Sequence, residues 1–116
     1  MRSVLRALAD VPGVRGSMVV TRDGMVVDSL LGRTLRQEVV GAMAASLILG
    51  TRRAVEGFGQ SFESIAFVST HGKMIAADAG SGAFLVVVLD RNIDLGSAEL
   101  EIRSAVRKVK TLGEAS

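Results

Sequence analysis

The spacing of apolar residues changes several times along the chain, and each change marks an element. Val4, Leu5 and Leu8 recur at helical spacing after Ser3, a candidate N-cap, and Pro12-Gly13 stops the helix they predict. Gly16 to Thr21 and Met25 to Ser29 are β-branched runs joined by Arg22-Asp23-Gly24, which reads as a hairpin whose turn glycine takes a positive φ. From about Thr34 to Phe58 there is no proline and helix formers dominate. Thr34 and Gln37 stand at capping-box spacing, and Gly57 and Gly59 bracket the far end. Phe62 to Ser69 and Lys73 to Ala79 form a second strand pair that turns through Thr70-His71-Gly72, and Gly80-Ser81-Gly82 leads into Ala83 to Leu89. That last run is apolar on both faces, the pattern of a strand inside a covered sheet. Leu95, Ala98, Ile102, Ala105, Val106, Val109 and Leu112 share one face of a final helix, with Gly113 to Ser116 expected as a frayed tail. The predicted order is α-β-β-α-β-β-β-α in one domain of mixed α/β (α+β) class over residues 1–116, with no internal repeat or linker.

The central helix carries more apolar residues than one sheet face needs. Val40, Ala44, Leu47, Thr51, Val55 and Phe58 can face the sheet, which leaves Leu35, Val39, Ala42, Ala45, and Ile48 or Leu49 on other sides. A helix that is apolar nearly all round is buried nearly all round, and a second chain is the expected cover. Gly41, Ala42, Ala45 and Ser46 are small enough to let another helix approach closely. A mean hydropathy of +0.39 points the same way, because a chain of this size leaves a large share of its surface outside the core.

Charge and chemistry-bearing residues exclude more than they suggest. A net charge of +2 from 14 basic and 12 acidic residues, with neither Trp nor Tyr, supports no nucleic-acid partner. The absence of Cys excludes disulfides and thiolate metal sites. Val39 to Gly50, the longest apolar run, is shorter than the roughly 20 residues of a membrane span, and Met1 to Asp10 lacks the apolar core of a signal peptide. A cytoplasmic location without membrane insertion is expected. His71 falls in a predicted turn with no nucleophile or carboxylate beside it, so it reads as an exposed turn residue. Gly80-Ser81-Gly82 precedes a strand and lacks the following Lys-Ser/Thr of a phosphate loop. Asp23, Asp28, Asp78, Asp90 and Asp94 lack calcium-loop spacing. No catalytic residue, metal or cofactor is expected.

Three stretches in register carry a resemblance: Val11-Pro12-Gly13-Val14 leading into Thr21-Arg22-Asp23-Gly24; the small-residue helix Gly41-Ala42-Met43-Ala44-Ala45-Ser46; and Phe84 to Arg103, through Asn92-Ile93-Asp94-Leu95-Gly96 to Leu100-Glu101-Ile102-Arg103. From about Val4 to Leu112 the chain resembles the Roadblock (dynein light chain) family, including its MglB-like small-GTPase regulators. The resemblance implies a profilin-like five-stranded antiparallel sheet with helices on both faces. It makes Phe62 to Ser69 an edge strand, and only Glu63 guards that edge. The expected homodimer interface is then Gly41, Ala42, Ala45, Ser46 and Leu49 on the helix with Phe62, Ser64, Ala66 and Val68 on the strand. The resemblance further implies a regulatory or scaffold protein for a Ras-like small GTPase, with Leu49, Arg52 and Arg53 as candidate contacts. Arg52 and Arg53 have a plainer role as cations in the last turns of a helix. The other functional readings are a dimeric adaptor with no effect on GTP turnover and a small-ligand sensory domain.

Overall fold

The computed structural model describes residues 1–70 and 72–115. Its elements are α1 (Arg2–Ala9), β1 (Val14–Thr21), β2 (Val26–Leu31), α2 (Gln37–Glu56), β3 (Ser64–Val68), β4 (Lys73–Asp78), β5 (Ala83–Leu89) and α3 (Leu95–Ala115). One antiparallel sheet runs β2-β1-β5-β4-β3, so the strand that is apolar on both faces is the central one and β2 and β3 are the edges. Tight turns join β1 to β2 and β4 to β5, and α2 carries the chain from one edge strand to the other. Gly24 supplies a φ of +90° at the first hairpin, where a side chain would also run into Ala45 Cβ at 2.8 Å.

Strand alternation sends the two faces of β1 and β5 into separate cores. Val19, Leu85, Val87 and Leu89 pack under α1 and α3 with Leu5, Leu8, Ala98, Ile102 and Val109. Met18, Val20, Phe84, Val86 and Val88 pack under α2 with Val40, Ala44 and Ile48. Each fully buried Leu, Ile or Val contributes about 1.5–3 kcal/mol, so β5, which feeds both cores, anchors the fold.

Several local expectations change. α1 begins at Arg2 with Met1 at the N-cap position, two residues earlier than a Ser3 cap would place it. The Thr34–Gln37 capping box does not form: α2 starts at Gln37, and both side chains bond elsewhere. Thr34 Oγ1 accepts from Arg15 Nη2 at 2.8 Å, and Gln37 Oε1 accepts from Ser29 Oγ at 2.7 Å, tying the helix start to β1 and β2. Of Ile48 and Leu49, Leu49 is the one that turns outward, and Ile48 is fully buried. Phe58, beyond the helix end, is 84% exposed rather than on the sheet. α3 continues through Gly113, where a frayed tail is expected, to Ala115. The expectation for His71 lies outside the described residues.

Candidate docking surface

The two sheet edges are built differently. β2 is blunted: its register with β1 shifts at Val19/Val20, and Arg2 reaches over from α1. The Arg2 guanidinium donates to Ser29 O at 2.7 Å and pairs with Asp28 at 2.9 Å, so that edge carbonyl is already occupied. β3 has an unbroken register with β4 and contains neither a charge nor a proline. Ser69 N donates to Gly72 O and Asp78 N to Glu63 O, which makes the odd-numbered residues of β3 the ones bonded to β4. By alternation, the N–H and C=O groups of Ser64, Ala66 and Val68 point to the open edge.

Beside this edge, α2 presents a face without charge. No ionisable residue lies between Glu38 and Arg52, and the outward positions there are Val39, Ala42, Met43, Ser46, Leu49 and Gly50. Val39 is 48% exposed, and Met43 and Leu49 are each 42% exposed. Between the first half of α2 and β3–β4 lies a cleft of about 260 Å³ whose apolar lining includes Leu35, Val39, Met43, Phe67 and Met74. Val68, at the end of the open strand, is 58% exposed.

The residues expected at an interface divide. Ala42, Ser46 and Leu49 face outward on α2, and Ser64, Ala66 and Val68 line the open edge. Gly41 and Ala45 lie against the β1–β2 turn of their own chain. Gly41 is buried, with Val26 Cγ2 3.5 Å from where its Cβ would be, and Ala45 backs Gly24. Phe62 is turned into its own chain, stacked on Phe84 with ring centroids 5.9 Å apart. Of the candidate partner contacts, Arg52 pairs with Glu56 at 3.5 Å, one turn on, whereas Arg53 is exposed and makes no ion pair among the described residues. Met43 follows from no single period, but it lies within the charge-free run between Glu38 and Arg52.

The surface offers contact rather than bond-making groups. Among the described residues no cluster of His, Cys, Asp and Glu could hold a metal, and no helix is long and apolar enough to cross a membrane. Among the described residues one carboxyl has a displaced pKa: Asp23 is held below the ordinary aspartate value by the hydrogen bond from Thr21 Oγ1, with backbone N–H groups of the turn adding to it. It belongs to the β1–β2 turn, not to the edge.

Comparison with known proteins agrees with this architecture. The Roadblock/LC7 domain model matches residues 2–89. An uncharacterised protein of Methanocaldococcus jannaschii is 36% identical over 110 residues, spanning 94% of this chain and 96% of its own length. A structure of MglB in a tetrameric arrangement superposes with a TM-score of 0.85 at 20% identity, covering 98% of this chain and 88% of the other. Profilin Ib of Acanthamoeba castellanii superposes with a TM-score of 0.65 at 16% identity, covering 96% and 97% of the two chains. The family match over most of the chain, on a profilin-like five-stranded sheet with the same order of elements, shows that this protein belongs to the Roadblock/LC7 domain family.

Proposed function

We propose that the chain forms a homodimer through β3 and the outer face of α2, and that the dimer regulates or scaffolds a Ras-like small GTPase. The observation that carries the first half is the unguarded β3 edge lying next to the charge-free face of α2. Two such edges meeting across a two-fold axis would extend one sheet into the next, and the α2 faces would share cover. Family membership supports the second half, together with the fold shared with MglB.

The mechanism is binding. A dimer that contacts both nucleotide states equally shifts nothing, whereas a preference for one state moves the GTPase towards it. Leu49, Arg52 and Arg53, at the end of the shared helix face, are the proposed rim contacts. The experiment is to measure binding of the full chain to the Ras-like GTPases of its own organism, each loaded with GDP or a non-hydrolysable GTP analogue, and to follow GTP hydrolysis. A difference of about tenfold in Kd between states, about 1.4 kcal/mol, is expected. State-selective binding with an unchanged hydrolysis rate assigns the chain a scaffolding role. No binding in either state, or equal binding in both, overturns the regulatory reading.

A further inference from the structure

The charge-free face of α2 ends in opposite charges. Glu38 opens it and Arg53 closes it, and both side chains are exposed and make no ion pair among the described residues. Arg52, by contrast, is already held by Glu56 at 3.5 Å. Glu38, Ala42, Ser46, Leu49 and Arg53 follow one another at intervals of three and four, so they share one exposed stripe of the helix. From Glu38 to Arg53 that stripe is roughly 22 Å long. One step further out the signs reverse at both ends together, with Arg36 at the N-cap and Glu56 as the last helical residue. A carboxylate in the first turn and a guanidinium in the last suit the helix dipole, but that role leaves both groups open to a further partner.

This order of charge selects the orientation of a second copy. A two-fold axis along α2 sets Glu38 against Glu38 and Arg53 against Arg53. An axis across α2 makes the helices antiparallel and sets each Glu38 against Arg53 of the other chain. The centre of the antiparallel arrangement falls between Ala45 and Ser46, midway from Glu38 to Arg53. The sheet puts the axis at the same level. Val39 and Met43 share a cleft with Phe67 and Ser69, and Leu47 packs on the core joined by Phe62 and Ile65, so the midpoint of α2 stands level with the middle of β3. Ala66 is the central one of the residues whose peptide groups point outwards, Ser64, Ala66 and Val68. Opposing Ala66 to its own copy uses the outward groups of all of them. Charges on the helix and hydrogen-bonding groups on the strand thus locate one axis independently.

We propose, resting on the homodimer put forward above, that Glu38 of each protomer pairs with Arg53 of the other, and that these two ion pairs fix α2 antiparallel with Ser46 and Ala66 beside the two-fold axis. The apolar middle of the face supplies contact area, and the charged ends decide orientation. They also reject a shifted register, because a slip of one turn separates both pairs at once. Arg53 keeps its place at the rim of the shared face, presented as half of an ion pair rather than as a lone cation.

The test is a charge-reversal cycle read by sedimentation equilibrium of the full chain at about 0.1 M salt. Glu38→Arg and Arg53→Glu are each expected to weaken the dimer Kd about tenfold, and the double variant Glu38→Arg/Arg53→Glu to restore it to within about threefold of the parent. Loss of helix-dipole stabilisation alone would leave the double variant worse than either single one. The chain contains no Cys, so introduced thiols report the geometry directly. A mixture of Glu38→Cys and Arg53→Cys chains treated with a short bismaleimide is expected to give a cross-linked dimer. Glu38→Cys by itself is expected to give none, because its two copies stand at opposite ends of the stripe, roughly 22 Å apart. A parent dimer whose Kd ignores the charge variants, or cross-linking of Glu38→Cys with itself, overturns the ion pairs and leaves the dimer standing. A parent chain that sediments as a monomer overturns both.

Discussion

Ser17 sits in the middle of β1 with 1% of its surface exposed, and its Oγ has no hydrogen-bond partner among the described residues. An unsatisfied buried hydroxyl costs about 1–3 kcal/mol. Ser17→Ala should therefore raise stability by roughly that amount in urea denaturation, and a loss instead would mean that the hydroxyl is bonded in solution. Asp23 makes a contrasting case on the surface. Its lowered pKa contributes stability that is fully present above the unfolded-state value and is lost as pH falls through the folded one. Thr21 Oγ1 donates to the Asp23 carboxylate and accepts from Met25 N at 3.1 Å, so it closes the turn from both sides. With Thr21→Val, the Asp23 titration midpoint read by NMR should rise towards the ordinary aspartate range. An unchanged midpoint would assign the shift to the turn backbone alone.

At the scale of the element, β3 joins two requirements that one substitution can separate. Its odd-numbered residues bond to β4, and its even-numbered ones point outwards. Ala66→Pro removes an outward N–H and is expected to leave the far-ultraviolet circular dichroism intact while sedimentation equilibrium gives a monomer mass. Phe67→Pro removes a bond to β4 and is expected to lower stability, by about 3 kcal/mol if a proline here costs what it does in other ordered elements. A dimer that survives Ala66→Pro would rule out edge pairing. The existence of β3 was readable from the Ile65/Phe67 and Ala66/Val68 alternation. Which of its groups face the open edge was not, because hydrogen-bond phase depends on the register with β4. α2 shows the same division. Its apolar excess is visible in the residues, but Ile48 turns inward and Gly41 and Ala45 are covered by the β1–β2 turn, which only the packed hairpin reveals.

For the molecule as a whole, the question is what covers α2. Met43 is half exposed on the charge-free face and carries little of the core, so Met43→Glu should change the stability of an isolated protomer by no more than about 0.5 kcal/mol. In a dimer built on that face it would bury a charge, and the dimer Kd should weaken by at least about tenfold. An unaltered association constant would move the interface elsewhere.

Residue periods alone determined the order of the eight elements and the central place of β5, because both follow from local propensity and from a strand apolar on two faces. They also determined that α2 has more apolar surface than one sheet can use. The tertiary structure decided which edge is guarded and which is open, since Arg2 reaches Ser29 and Asp28 only once α1 lies across β2. It likewise decided that part of the β3–β4 face lies open beside α3, a juxtaposition of segments distant in the chain that no local pattern contains.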